Sequence, residues 1–263
     1  MLFQKHLAPP GSQVVDFLIR TLEHLGGLGL LARDTFRRGF RRPREWRLWV
    51  EQLHHLGVGS APIVLTTLLF TGMVLALQTA ASWVSFGKLL IGDVVALSIV
   101  RELGPVLSAL VIGGRVGAGI TAEIGSMKVT EQVDAIRALA ADPVKKLVFP
   151  KVLATTVMLP VLTTMANFVG ILGGLLIACF ELNQTSEFYL KHVRSALEVH
   201  DIFSGISKTF FFALFISTIA CYNGLRASGG ADGVGRATTQ TVVAASIAVL
   251  VSDFFLTKLL LIF

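Results

Sequence analysis

Apolar residues run through this chain in five long blocks, each of about the twenty residues an α-helix needs to cross a hydrocarbon layer. The blocks are Gly57 to Ala81, Val94 to Ile120, Leu147 to Phe180, Ile202 to Tyr222 and Ala237 to Phe263. The third is longer than a span requires and carries Pro150 and Pro160. It is expected to begin as an interfacial segment and then to kink or tilt. Ahead of the first block the pattern changes: Val15, Leu18, Leu22 and Leu25 recur at helical spacing beside Asp16, Arg20 and Glu23. That predicts an amphipathic helix lying in a membrane interface. Leu25 to Ala32 is too short and too interrupted by glycine to be the core of a signal peptide.

Between blocks two and three the chain reads TAEIGSMKVTEQVDAIRALAADPVKK. Ile124, Met127, Val133, Ile136 and Leu139 form an incomplete helical stripe, with Glu123, Lys128, Glu131, Asp134 and Arg137 as polar neighbours. Asp142 before Pro143 is a cap and first-turn signal for the next helix. A short helix here suits either a docking surface for a soluble partner or a rest against the protein's own membrane face. The fold class predicted is an all-α integral membrane protein. Residues 1–50 form an interfacial helix and basic segment, and residues 51–263 form five transmembrane helices with a short cytoplasmic helix between spans two and three.

Composition strengthens this picture. Hydrophobic residues make up 53% of the 263 and charged residues only 15%, with a mean hydropathy of +0.72, where a soluble domain carries about 25% charged residues. Before the first span lie Lys5, Arg20, Arg33, Arg37, Arg38, Arg41, Arg42, Arg44 and Arg47. The loop between spans two and three adds Lys128, Arg137, Lys145, Lys146 and Lys151, and that between four and five adds Arg226 and Arg236. The opposite loops hold Lys88, Lys191 and Arg194. The N-terminus is therefore expected in the cytoplasm and the C-terminus outside. The net charge of +6 reflects this asymmetry rather than nucleic-acid binding, and the run RRGFRRPREWR should sit at anionic headgroups.

Several chemistries find no support. The chain has no G-x-x-x-x-G-K-[ST], so it does not itself cradle nucleotide phosphates in a P-loop. It also lacks H-E-x-x-H, paired cysteine motifs and G-x-S-x-G. His54 and His55 point to different helix faces and do not suggest a shared metal. Cys179 and Cys221 fall near opposite ends of spans three and four, too far apart to bridge. The cluster GGADGVGR, residues 229 to 236, follows no strand and is read as a flexible turn into span five rather than an anion loop.

The second span carries charge. If it enters near Val94, Arg101 lies about 10 Å deep and Arg115 about 30 Å deep at the rise of a helix. Arg115 thus reaches the far interface, where it can snorkel. Arg101 and Glu102 are well inside, where each ionised side chain costs roughly 2.5–3.5 kcal/mol. They call for protein, water or a polar ligand, either as part of a functional cavity or as a structural ion pair. Pro105 frees a backbone carbonyl near Arg101 and bends the helix. Gly113 and Gly117 have the spacing that lets helices approach closely. Asp253 in span five is a further candidate for a buried partner, whereas Lys258 is near enough to the end to snorkel. Gln78 in span one could bond a ligand headgroup or a neighbouring helix.

The run RELGPVLSALVIGGRVGAGITAEIGSMKVTEQVDA, the Asp142–Pro143 pair and RATTQTVV at 236 to 243 closely resemble MlaE-type permeases, also called the YrbE family. The resemblance runs from about Gln52 to the end, leaving the first 50 residues and Lys258 as departures. It implies the transmembrane subunit of an ABC transporter that moves phospholipids between the inner and outer membranes of Gram-negative bacteria and maintains outer-membrane lipid asymmetry. It further implies a homodimer enclosing a lipid cavity, a cytoplasmic ATPase docked on the loop after span two as a coupling helix, and a periplasmic ring of MCE-domain proteins. A small STAS-domain protein often accompanies the ATPase. Such a chain is not itself an enzyme and binds no cofactor, since ATP and Mg belong to the ATPase.

The family's RELGP falls on Arg101 to Pro105 and its GMVLxLQ on Gly72 to Gln78. Leu75 is thereby implied near acyl chains, and Gln78, Arg101, Glu102 and Asp253 near the polar part of a bound lipid. The AEIGxMxxTEQ pattern falls on Ala122 to Gln132 and makes Glu123, Glu131 and Gln132 candidates for ATPase coupling. An ion-coupled secondary transporter using Arg101, Glu102 and Asp253 as a relay is the rival, although five spans show no obvious inverted repeat. A membrane-embedded lipid enzyme lacks a catalytic constellation.

Overall fold

Each of the five apolar blocks forms one long helix. In chain order the elements are α1 (Pro10–Gly39), α2 (Arg47–Ala81) and α3 (Ile91–Val129), α4 (Gln132–Ala138), α5 (Val144–Phe180), α6 (Ser186–Ala196), and α7 (Val199–Leu225) and α8 (Gly230–Leu260). The computed structural model describes residues 10–39, 46–82, 91–260 and 262, and no strand occurs among them. Lys5, Arg41, Arg42, Arg44, Lys88 and Phe263 lie outside the described residues, as do the side chains of Val15, Asp16, Leu18, Arg20 and Leu25. α2, α3, α5, α7 and α8 are long and apolar enough to cross a membrane.

α3 is the central helix, packed against α2, α5, α7 and α8, while α2 lies along α5. Small residues let backbones meet at these crossings. Gly72 abuts the Gly170 backbone, Gly173 the Leu69 carbonyl and Gly205 the Val100 carbonyl, with no room for a Cβ at any of them. Gly113 and Gly117 do not have this role within the chain. A Cβ at either would meet Ile216 at 3.7 Å or 3.4 Å, which is ordinary contact, and the two residues instead bound a π-helical turn. α8 touches α3 and α7 and leaves Val243, Ile247, Leu250, Phe254 and Phe255 exposed. A contiguous apolar face of that kind marks a membrane or protein contact.

The two ends of the bundle differ. At one end α6 covers the start of α3 through Tyr189, which is fully buried and donates its hydroxyl to the Ile171 carbonyl at 3.2 Å. Burial pushes this phenol above its ordinary pKa. At the other end lie α4 and the α7–α8 turn. α1 reaches that same end, with Gly27 against the Tyr222 ring and Gly39 against Phe149, and Arg38 pairs with Asp142 at 3.3 Å.

Pro160 sits inside the single continuous helix Phe149–Phe180, and Pro150 falls where that helix takes over from the π-helical turn Val144–Val148. Asp142 caps α5 by accepting the Val144 N–H at 3.0 Å, as its place before Pro143 suggested. The glycine cluster after α7 differs from expectation. Of the cluster only Gly229, at φ +88°, precedes the helix, and from Gly230, at φ +70°, the rest of GGADGVGR is already the first turns of α8. The Gly233 N–H bonds the Gly229 carbonyl at 3.4 Å and its Cα packs on the Ser228 backbone, so the cluster is helical because glycine permits that close start.

Candidate functional site

α3 is not a regular helix where it carries charge. It widens into π-helical turns at Ile99–Leu103 and at Gly113–Gly117, the kind of local irregularity that recurs at functional sites. The first turn presents Arg101 and Glu102, and Pro105 follows with no N–H to offer the Arg101 carbonyl. The second presents Arg115, whose guanidinium donates to the Gly59 carbonyl near the α4 end of α2. Arg115 is therefore spent on the backbone of a neighbouring helix, in keeping with its depth.

Arg101 turns to α7, where Nε and Nη2 each lie 2.7 Å from Asp201 Oδ1. Asp201 is buried and its other oxygen accepts the Glu198 N–H at 3.1 Å, completing a capping box at the start of α7. One carboxylate thus begins a helix and fixes an arginine. Arg101 remains 47% exposed and can still present N–H groups to a ligand.

Glu102 points to a second cation. Lys208, in the apolar middle of α7 and 1% exposed, places Nζ 2.8 Å from Glu102 Oε1 and 2.6 Å from Thr257 Oγ1. It also lies 3.2 Å from the Arg101 carbonyl and 3.3 Å from Asp253 Oδ1. Three N–H groups therefore meet four oxygens from α3 and α8. The carbonyl that Pro105 leaves without its helical partner is among them. An isolated lysine at this depth would cost several kcal/mol, and this surround is what makes it tolerable. Counting formal charges, Arg101 and Lys208 oppose Glu102, Asp201 and Asp253, leaving one excess negative charge across the cluster.

A cavity of about 140 Å³ opens beside the cluster at the α6 end, lined by Arg101, Glu102, His200, Asp201, Ser204, Lys208, Thr257 and Leu260. Its walls offer a guanidinium and carboxylates within one small space, so it can hold a ligand bearing both signs of charge. Of the residues singled out from sequence, Arg101, Glu102 and Asp253 are brought together through Lys208. Leu75 and Gln78, on α2, do not line this cavity; Leu75 is half-buried against the core and Gln78 is exposed. Lys208, Asp201 and Thr257 were not singled out. The signal for Lys208 was present, as a lone lysine within the apolar run of span four, while Asp201 stands one residue before that run and Thr257 carries no charge to mark it.

The opposite end of α3 shows how the segment toward α5 is built. α3 stops at Val129, Glu131 adopts φ +60°, and α4 begins at Gln132. The stripe read as one helix is therefore cut in two by a left-handed residue, with Ile124 and Met127 belonging to α3 and Val133 alone fully buried in α4. Leu139 stands 80% exposed at the tip. Lys128 holds Asp134 at 2.7 Å and Arg137 holds it at 3.1 Å. The Lys128 hydrogen bond, with the two nearby cations, keeps this carboxyl below the usual carboxylate range.

Glu131 and Gln132 are adjacent and exposed at this turn. Glu123 is apart from them: it lies two turns back along α3 and pairs with Lys151 of α5 at 2.6 Å, and Gln52 of α2 accepts from the same ammonium at 3.2 Å. The Lys151 ammonium thereby ties three helices together. Among the described residues no group of three or more His, Cys, Asp or Glu could hold a metal ion.

The family model described as "Permease MlaE" matches residues 49–259, which takes in α2 to α8 almost entirely. A protein of Rickettsia bellii named "Probable ABC transporter permease protein" is 42% identical over 242 residues, covering 92% of this chain and 93% of its own. A Synechocystis relative, "Probable ABC transporter permease protein slr1045", is 43% identical over 214 residues, covering 80% of this chain and 81% of its own. The Haemophilus influenzae protein "Intermembrane phospholipid transport system permease protein MlaE" is 38% identical over 255 residues, or 95% of each chain.

Proposed function

The chain belongs to the MlaE permease family of ABC transporters, and from that premise we propose that it moves phospholipids between the inner and outer membranes, driven by ATP hydrolysis on a partner subunit. The Haemophilus relative named for intermembrane phospholipid transport supports the substrate. The observation that carries the mechanism is the placement of two sites on one helix. α3 bears the Arg101–Glu102 turn toward the α6 end and leads directly into the Glu131 turn at the α4 end. Thirty residues separate them, about 45 Å of helix.

On this reading the α4 end faces the cytoplasm, with α1 in the interface, the N-terminus inside and the C-terminus in the periplasm of the bacterial inner membrane. Glu131, Gln132 and the exposed Leu139 meet the ATPase, and Glu123 steadies the base of the segment through Lys151. At the other end the Arg101 guanidinium meets a headgroup phosphate, and the excess negative charge of the Glu102–Asp253 side suits a headgroup amine. Leu75 and Gln78 extend the lipid's path along α2 when two copies face each other, and an MCE-domain ring receives the lipid outside. Nucleotide-dependent contacts at the α4 end shift the cavity by favouring one position of α3 over another.

Reconstitution tests this. Lipid transfer between vesicles should require the complex with its ATPase and hydrolysable ATP, and transfer by this chain alone without ATP would overturn the coupled mechanism. The buried lysine between two carboxylates is also the composition of a proton relay; a requirement for a pH gradient with no ATPase would favour ion-coupled transport instead.

A further inference from the structure

A second groove opens at the other end of α7 from Lys208, between α1, α7 and α8, with a volume of about 710 Å³. Its polarity is graded along the helix axis. Tyr222, Asn223, Thr239 and Gln240 lie at the α4 end, and Val243, Ile247 and Val251 continue the wall toward the middle of the bundle. From Thr239 to Val251 the wall rises about 18 Å along α8. Tyr222 is in turn about 21 Å along α7 from Lys208, so the groove's polar mouth is remote from the charged cluster, while its apolar wall ends at Val251, two residues before Asp253.

The mouth is cationic. The Arg226 guanidinium lies 5.2 Å from the centre of the Tyr222 ring and donates to its hydroxyl, while His24 of α1 meets the same ring edge-on at 5.6 Å. Arg236, one turn before Thr239, folds back so that its Nη2 would lie 3.4 Å from a Cβ on Gly229. Among the described residues neither arginine has a carboxylate within ion-pair distance. Both guanidinium groups are exposed and without acid partners; Arg226 joins the rim through Tyr222, Arg236 lies one helical turn before Thr239, and from the rim an apolar trough runs open along the exposed face of α8.

We propose that this groove binds an anionic phospholipid of the leaflet at the α4 end, its phosphate between Arg226 and Arg236 and one acyl chain along Val243, Ile247 and Val251. The chemistry is that of basic pockets between membrane helices that hold lipid headgroups on the cytoplasmic side. The separation of polar and apolar ends along the axis matches an amphiphile lying parallel to the spans. This goes beyond the transport reading, because occupancy needs neither ATP nor the cavity at Arg101.

The test uses the full chain with its partner subunits in native membranes whose phospholipids carry radiophosphorus. A photoreactive benzophenone amino acid replaces Ile247, and in a control it replaces Phe203, which is exposed outside the groove. Irradiation should attach labelled lipid at position 247. The adduct should fall at least about fivefold in Arg226→Ala/Arg236→Ala, from the loss of two near-surface cations, and should persist in Arg226→Lys/Arg236→Lys. Label at position 203 should not change. A labelled adduct at 247 indifferent to the alanine pair means bulk lipid, absence of label means an empty groove, and a chain-to-chain adduct in its place means a second copy; each overturns the proposal.

Discussion

The Lys208 ammonium lies 2.8 Å from the Glu102 carboxylate and 3.2 Å from the Arg101 carbonyl, so one side chain of α7 answers both the charge and the broken backbone pairing of α3. The two defects in α3, an acid at Glu102 and a proline at Pro105, lie three residues apart, and a single cation serves both. Removing that cation leaves Asp253, 19% exposed, without its ion partner, while Glu102, 41% exposed, can turn to water. Lys208→Ala should lower stability by about 3 kcal/mol, the scale for breaking a buried pair, read as a fall in the thermal midpoint of the purified protein. Adding Asp253→Asn to Lys208→Ala should recover part of the loss. No recovery would mean that the lysine acts mainly through its packing.

Arg101 should separate binding from stability. Its side chain is half exposed and its partner Asp201 keeps a second bond as a helix cap. Arg101→Lys keeps a cation beside buried Asp201 but loses the planar fork, and is expected to reduce both co-purifying phospholipid and lipid transfer while shifting the thermal midpoint less than Lys208→Ala does. Glu102→Gln should also reduce bound phospholipid, and retention of the normal amount would remove Glu102 from the headgroup site.

Glu131 combines an unusual backbone with a candidate docking carboxylate, and substitutions can part the two. At φ +60° glycine relieves a strain of about 1 kcal/mol. Glu131→Gly should therefore keep the turn, and Glu131→Val should disturb it. If the carboxylate meets the ATPase, Glu131→Gly and Glu131→Lys both weaken co-purification, the lysine more. Normal co-purification of both would assign Glu131 to the turn alone.

The order of α4 should depend on acid through Asp134. Its carboxyl titrates below the ordinary value of 3.8 in the folded chain. The stabilisation is therefore fully present above that value and is lost as pH falls through the lowered one. Protection factors of residues 132–138, measured against the intrinsic exchange rate at each pH, should fall in that acid range, and Asp134→Asn should remove the dependence while leaving protection lower at neutral pH.

The spans were legible in the sequence because each apolar block needs only its own residues to show that it cannot rest in water. The same holds for the Asp142 cap, which acts two residues away. What sequence did not show is pairing across distance. Lys208 meets Glu102 across 106 positions, and a scan for apolar runs passes over one lysine among phenylalanines. The stripe through Ile124 and Leu139 kept its period on paper, since a left-handed residue such as Glu131 has no local sign when it is not glycine or asparagine. The cluster GGADGVGR misled in the other direction, because glycines that usually loosen a chain here allow α8 to start tightly against Ser228.

Glu123 and Lys151 form a 2.6 Å pair whose members are buried very unequally, 47% exposed against 2%. That asymmetry predicts opposite outcomes for the two deletions. When Lys151 is replaced by methionine, Glu123 can turn to water and the apolar stem of the new side chain fills the site, so Lys151→Met should be nearly neutral in stability. When Glu123 is replaced by alanine, the Lys151 ammonium stays enclosed with Gln52 as its remaining side-chain partner, and the cost should approach about 3 kcal/mol. Denaturation midpoints of the two variants decide the matter. Equal losses would show that the pair holds α3 to α5 by mutual attraction, whereas the predicted inequality would show that Glu123 exists to keep a buried lysine satisfied. In the latter case Lys151→Met should also release Glu123→Ala from its penalty, and the double variant should be no less stable than Lys151→Met alone.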